Sequence, residues 1–178
     1  FELARKCGFD NINTDLIAGL PTDTPESFKN SLDSIVRLNA ECITVHTLCM
    51  KRASRLTTEG VTLDLQQARD AREMLAYTQN ILGQNEYIPY YMYRQSRMVG
   101  NLENVGWSKR GFESLYNVYV MDETHTILAC GSGGVTKLKR NNPDYLERIF
   151  NFKYPYEYID RFDELIQRKS GIMQFYGQ

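Results

Sequence analysis

The sequence has no excess of either charge: 21 Lys and Arg stand against 22 Asp and Glu, a formal net charge of -1. Such a balance creates no long-range field for a nucleic-acid backbone or an anionic membrane surface, so no nucleic-acid partner and no membrane partner is expected. No apolar run approaches the roughly 20 residues that span a bilayer, and no signal-peptide pattern opens the chain; a cytoplasmic protein is expected. Cysteine is sparse. Cys7, Cys42, Cys49 and Cys130 stand apart, with no CxxC or CxxxCxxC grouping that would hold zinc or an iron–sulfur cluster, so no metal ligand is assigned. Without secretory signals a disulfide framework is not expected, and Cys7 and Cys42 read as small buried hydrophobes. No Ser/His/Asp arrangement or paired-carboxylate motif argues for hydrolysis. There is no initiator Met, and Phe1 to Gly8 (FELARKCG) reads as the last turns of a helix closed by a C-cap glycine, as if a longer protein had been cut within a helix.

What is present suits one domain of ordinary size, or part of a larger one: 178 residues of which 42% are hydrophobic. The most informative stretch is DLIAGLPTDTPESF, Asp15 to Phe28. Leu16, Ile17, Ala18 and Leu20 form the short apolar run of a parallel strand covered on both faces, and Gly19 allows close approach to the backbone. Pro21 ends the strand. Thr24 is a good N-cap, Pro25 fits the first helical position, Glu26 favours the positive helix end, and Phe28, Leu32, Ile35 and Val36 recur at helical spacing. A ligand is expected at the carboxyl end of this strand, where Asp15 and the Gly19 backbone meet it.

A second βα unit follows. Cys42 to Leu48 (CITVHTL) is β-branched and apolar, a buried parallel strand, and Thr62 or Asp64 can cap a helix that carries Leu65, Ala68, Arg72, Leu75 and Leu82 and ends near Gly83. Tyr87 to Tyr93 reads as a third strand, which Pro89 places near an edge. Arg94 to Gly111, polar and glycine-punctuated, reads as a long loop. Ser114 to Met121 and Thr126 to Cys130 read as strands around a turn at Asp122 to His125, and Val135 to Leu138 resumes an extended pattern after the glycine cluster Gly131 to Gly134. That cluster lacks the following helix of a dinucleotide or phosphate-binding loop. The aromatic run from Phe150 to Tyr158 reads as a strand leading into one final helix, with Ile159, Phe162, Leu165 and Ile166 on one face and its end near Gly171.

These pieces together resemble the later part of a radical S-adenosylmethionine (SAM) enzyme of the oxygen-independent coproporphyrinogen III oxidase or dehydrogenase family. DLIAGLPTDTPESF is similar to the family's strand-five junction, LNAECITVHTL to its next βα step, ILACGSGGVTK to its glycine-rich strand, and YYMYRQSRMVGNLENVGW to the coproporphyrinogen dehydrogenase branch. The resemblance covers nearly the whole chain and implies an α/β fold: the second half of a partial (β/α) radical SAM barrel plus a C-terminal α+β extension. The barrel's βα units would occupy residues 1–86. The final barrel strand, polar loop and extension, packed as one unit, would occupy residues 87–178. The implied cofactors are S-adenosylmethionine and a 4Fe–4S cluster, whose CxxxCxxC ligands lie upstream of this sequence. Reductive cleavage of SAM then leads to hydrogen abstraction from a propionate of coproporphyrinogen III, and loss of carbon dioxide leaves a vinyl group. The implied partners are that tetrapyrrole or a related one and an unidentified electron donor. The isolated fragment is expected to be inactive.

Carried over residue by residue, the resemblance makes Asp15 a SAM contact, Cys49 part of the adenine pocket, Val135 an apolar residue packed on the base, and Gly131 and Gly133 a segment passing close to SAM. Each also has a plain structural reading: a turn-capping carboxylate, core packing, a tight turn. Arg94 and Arg97 can pair with a substrate propionate through bidentate contacts, or belong to a solvated loop face. No catalytic residue is assigned. His46 reads as a hydrogen-bonded core histidine and His125 as a solvent-facing turn residue, while Trp107, Tyr116 and Tyr119 can form an aromatic wall for a tetrapyrrole or simply pack. Haem chaperones of the same superfamily carry an HNxxYW-type signature; here the region reads ESLYNVYV, with Tyr116 in place of the histidine. That departure favours the enzyme over the chaperone. A radical SAM enzyme with another substrate is the third reading.

Overall fold

The computed structural model describes residues 1–49, 65–94 and 98–177, which form two compact units, Phe1–Ser114 and Leu115–Gln178. In the first unit a short helix α1 (Glu2–Lys6) ends with Gly8 at φ +90°, as the C-cap reading requires. Strand β1 (Asn13–Ala18) runs parallel to β2 (Cys42–Thr47), with Asp15 opposite Thr44 and Ile17 opposite His46. Between them lies α2 (Pro25–Leu38). The Thr24 hydroxyl accepts the Ser27 N–H while the Ser27 hydroxyl accepts the Thr24 N–H, Pro25 sits in the first turn, and Asn39 closes the helix at φ 61°. Helix α3 (Leu65–Gln84) continues through Gly83 and stops before Glu86, which takes φ 64°. The expected caps Thr62 and Asp64 lie outside the described residues.

The sheet order is β1-β2-β4-β3. β3 (Ile88–Tyr93) is an edge strand, where Pro89 is tolerated, and it pairs antiparallel with β4 (Asn104–Ser108), with Tyr90 forming a bulge. β4 corrects the expectation of a structureless loop from Arg94 to Gly111. This five-residue strand is central, paired antiparallel with β2 on its other side, and the segment before it holds a 3₁₀ turn, Val99–Asn101. One sheet face supplies Leu16, Ala18, Ile43, Val45 and Trp107 to a core closed by Phe28 and Leu32 of α2 and Met74 and Leu82 of α3.

The second unit holds α4 (Leu115–Asp122), the antiparallel pair β5 (Val135–Asn141) and β6 (Asp144–Phe150), and helices α5 (Pro155–Asp160), α6 (Phe162–Lys169) and α7 (Gly171–Tyr176). Three expectations are corrected here. The expected strand from Ser114 to Met121 is a helix from Leu115, and Lys137 meets its C-terminal end, donating to the Val120 carbonyl and pairing with Glu123. Thr126 to Cys130 forms only a single bridge, Ile127 with Lys137. The final helix is divided in three: Arg161 leaves the helical region at φ -113°, ψ 32°, with its guanidinium 4.1 Å above the Phe152 ring, and Gly171 opens the last segment rather than ending it. No helix among the described residues is long and apolar enough to cross a membrane.

Candidate functional site

Strand alternation gives the first unit's sheet a second face, opposite its core, on which Asn13, Asp15 and Ile17 of β1 stand beside Cys42, Thr44 and His46 of β2. Gly106 of β4 continues the row from Asp15 and Thr44, and its missing side chain leaves room for the Tyr91 ring from β3 to lie over it and reach Thr44. The result is a polar ribbon across the sheet. Asn13 Nδ2 donates to Asp15 Oδ1 at 2.7 Å, and Thr44 Oγ1 donates to Asn13 Oδ1 at 3.1 Å. With its one proton used, Thr44 accepts from the Tyr91 hydroxyl at 3.4 Å. The Tyr93 hydroxyl lies 3.3 Å from His46 Nδ1, and His46 Nε2 lies 3.9 Å from Asp15 Oδ1. Tyr91 and Tyr93 stack with centroids 6.3 Å apart. Burial pushes both phenols above their ordinary value, so both remain protonated donors at neutral pH. Asp15 is the open end of this array: its side chain is 58% exposed, and its carboxylate retains acceptor capacity beyond Asn13. An exposed carboxylate beside neutral donors suits a ligand rich in hydroxyl, ammonium or carboxylate groups.

Asp15 thus stands in the middle of β1, and the expected ligand contact at the Gly19 backbone is replaced by packing. Gly19, at φ +84°, gives its N–H to Met74 Sδ at 3.3 Å, and a Cβ there would meet Ala71 of α3 at 3.2 Å. Cys49 is half-buried just beyond β2, bridged to Met98, while Val99 N–H donates to the Leu48 carbonyl. His46 reaches the polar face, as a half-buried, hydrogen-bonded histidine. Cys42 is buried, and burial raises its thiol pKa; Cys7 is exposed, contrary to expectation, because α1 buries none of its residues. Trp107 does not stand in an aromatic wall: it is 7% exposed and belongs to the core on the helix side. Tyr116 and Tyr119 belong to α4 of the second unit, where Tyr119 packs on the exposed His125 at 4.0 Å between centroids. Arg94 is half exposed and already paired, Nη2 to Glu103 Oε1 at 2.5 Å. Arg97 lies outside the described residues.

Gly131, Gly133 and Val135 belong to the second unit. Gly131 and Gly133 take φ +87° and +72°, and a Cβ on Gly131 would meet nothing within 4 Å, so that turn is open. The loop is held from beneath. Asn151 Nδ2 donates to the Gly131 carbonyl at 2.7 Å, Lys169 Nζ donates to the Ala129 carbonyl at 2.8 Å and to Thr136 Oγ1 at 2.6 Å, and Gly133 N–H donates to the Phe152 carbonyl at 2.7 Å. Val135, half-buried, opens β5 opposite Phe150.

Reading the sequence for single site residues missed Asn13, Thr44, Tyr91, Tyr93 and Asn151. The period-two alternation of polar residues in β2, Cys42, Thr44 and His46, was the available signal for the ribbon.

No family model matches the chain. It is 37% identical over 174 residues, 98% of its length, to the oxygen-independent coproporphyrinogen-III oxidase-like protein HemZ of Bacillus subtilis, of which that alignment covers 35%. It is 29% identical over 150 residues to the haem chaperone HemW of Lactococcus lactis, covering 79% of this chain and 35% of that protein. A shorter stretch of 51 residues is 39% identical to HemW of Bacillus subtilis. Among solved structures, the fold matches coproporphyrinogen III oxidase (HemN) from Escherichia coli, a radical SAM enzyme, with a TM-score of 0.60 and 18% identity over 92% of this chain and 36% of that one. The chain therefore spans about a third of the length of these relatives.

Proposed function

Because the chain belongs to the oxygen-independent coproporphyrinogen III oxidase-like family of radical SAM proteins, we propose that it is part of a cytoplasmic enzyme for haem biosynthesis, which decarboxylates coproporphyrinogen III oxidatively to protoporphyrinogen IX. The observation that carries this reading is the 37% identity along 98% of the chain to a coproporphyrinogen oxidase-like protein. SAM and a 4Fe–4S cluster, when bound, supply the hydrogen abstraction that precedes loss of carbon dioxide. The cluster's ligands lie outside this chain, whose four cysteines form no CxxxCxxC group.

The residues present fit SAM in donor chemistry. Asp15 offers an exposed carboxylate to the cofactor's hydroxyl or ammonium groups, and Asn13 orients it through the bond to Oδ1. Cys49 contributes a backbone held by its bridge to Met98. A cofactor role for Gly131, Gly133 and Val135 rests on the family resemblance and on the open turn at Gly131. Tyr91, whose proton goes to Thr44, and Tyr93, beside His46 Nδ1, are stacked and protonated, and they donate to substrate carboxylates only on leaving those partners. Arg94 joins them only by releasing Glu103. The second reading, a haem chaperone, is favoured by the matches to HemW.

The deciding experiment uses the full-length protein with its cluster reconstituted anaerobically. Conversion of coproporphyrinogen III with consumption of SAM is expected; stoichiometric haem binding with no conversion would replace the oxidase by the chaperone. Within the same preparation Asp15→Ala is expected to weaken SAM binding in calorimetry while changing stability little, since an exposed polar strand residue adds little to the core. Unchanged SAM affinity would return Asp15 to a structural role.

A further inference from the structure

Four side chains from three strands join into one hydrogen-bonded line on the polar face, and its direction is fixed by which groups can donate. The Asp15 carboxylate can only accept, so Asn13 must turn Nδ2 toward its Oδ1, at 2.7 Å. That leaves Asn13 Oδ1 facing β2, where Thr44 Oγ1 lies at 3.1 Å and must donate. With its proton spent, Thr44 accepts from the Tyr91 hydroxyl of β3 at 3.4 Å, and burial keeps that phenol protonated. An Asn13 amide turned the other way would set its oxygen against the Asp15 oxygen. The two ends of the line differ in their access to water. Asn13 and Asp15 are exposed, whereas Thr44 is 2% exposed. A bond between two exposed polar groups competes with water and orients its partners poorly when it stands alone. Here Asn13 is anchored at its oxygen by a buried hydroxyl, and its bond occupies one oxygen of Asp15 while the other stays available to a ligand.

We propose that Thr44 and Tyr91 are positioning residues for the Asp15 contact to SAM, acting through Asn13. This inference rests on the proposed reading of Asp15 as a SAM ligand. A carboxylate fixed before binding loses less freedom when it meets the cofactor's hydroxyl or ammonium groups, so the line raises affinity without adding a contact. The strand register makes the line possible: Asp15 stands opposite Thr44, and Thr44 stands opposite Gly106, whose bare backbone admits the Tyr91 ring.

The test is calorimetric titration of SAM into the full-length protein with its cluster reconstituted anaerobically, beside the thermal midpoint of each variant. Thr44→Val keeps the branched shape that suits a strand but removes the hydroxyl, and it is expected to weaken SAM binding about fivefold. Thr44→Ser restores the hydroxyl and should bring the affinity back to within about twofold of the unsubstituted protein, a rescue that a loss of strand packing alone would not show. Tyr91→Phe removes only the last donor and should weaken binding about threefold. In the Asp15→Ala background Thr44→Val is expected to have no further effect, because no carboxylate remains to be positioned. The inference is overturned if Asp15→Ala weakens SAM binding while Thr44→Val or Tyr91→Phe leaves it unchanged, or if serine at position 44 fails to rescue. It is also overturned if Thr44→Val costs as much without Asp15 as with it, which would mean that Thr44 acts through the fold. Unchanged affinity in Asp15→Ala has a different meaning: it overturns the reading of Asp15 as a SAM ligand, and this inference with it.

Discussion

Tyr91 occupies the place that a side chain on Gly106 would take: a Cβ built on that glycine falls inside the Tyr91 ring. The two residues stand opposite each other on β3 and β4, and the Tyr90 bulge sets the Tyr91 ring over the strand. Gly106→Ala must therefore expel the ring, breaking its contact with Thr44 and its stack on Tyr93. The expected loss is about 2 kcal/mol of unfolding free energy in urea, from overpacking and the lost contacts. Tyr91→Ala combined with Gly106→Ala should cost less than the sum of the two single changes, since the clash exists only when both side chains are present. Strict additivity would show that the ring does not rest on the glycine.

The same pair explains why β4 was not legible in the sequence while β1, α2 and β2 were. The first βα unit announces itself locally: an apolar run, a proline stop and a capping pair at Thr24 and Ser27 lie within contiguous residues. β4 is only five residues long, has a glycine at its centre, and sits amid polar and glycine residues; its strand character comes from partners on β2 and β3, distant in sequence. Helix α4 misled for a related reason. Its β-branched and aromatic residues have strand propensity, and the cation that meets its C-terminal end, Lys137, comes from β5. Asp15 and His46 were legible as candidates, but their meeting through the ribbon depends on the register of Ile17 with His46, which no local pattern reports.

Glu41 should make the first unit's stability depend on acid pH. Its side chain is 10% exposed and pairs with Arg5 Nη2 at 2.5 Å while accepting the Ile12 N–H at 3.0 Å. Burial is the largest single influence and pushes the carboxyl up; the Arg5 and Ile12 interactions together outweigh it, so the folded pKa lies below the ordinary 4.5. A depressed carboxylate pKa stabilises fully above the unfolded value and loses that contribution as pH falls through the folded one. Glu41→Gln is expected to cost about 2 kcal/mol at pH 7, with the gap to the unsubstituted protein closing below pH 4.5. A gap that stays constant through the acid range would mean the charge contributes nothing.

Lys169 is expected to govern the order of the glycine loop. Its ammonium is held beneath the loop by the Ala129 carbonyl and Thr136 hydroxyl, and burial lowers its pKa. Lys169→Met keeps the length and apolar stem but leaves both acceptors without their donor, at a cost of about 1–2 kcal/mol. Amide exchange at Gly131 and Gly133 should quicken, while exchange in the first unit's β1 and β2 stays unchanged. Unaltered exchange at both glycines would place the loop's order in Asn151 and the Gly133 bond to the Phe152 carbonyl.

The chain by itself is expected to assemble no competent 4Fe–4S cluster. Such a cluster needs several thiolates presented together, and the described residues contain no group of three side chains able to hold a metal ion. Cys42, the most enclosed thiol, is a poor candidate: burial raises its pKa, and its Sγ donates to the Phe112 carbonyl at 3.1 Å inside the packed start of β2. Cys7 is exposed at the end of α1, and Cys49 lies beyond the opposite end of β2 from Cys42. After anaerobic reconstitution with iron and sulfide, the expected spectrum is that of adventitious iron, and adding SAM and dithionite should release no 5′-deoxyadenosine. Stoichiometric release would mean that the catalytic half of the protein is contained in these 178 residues, and the assignment of the cluster ligands to a region outside them would have to be abandoned.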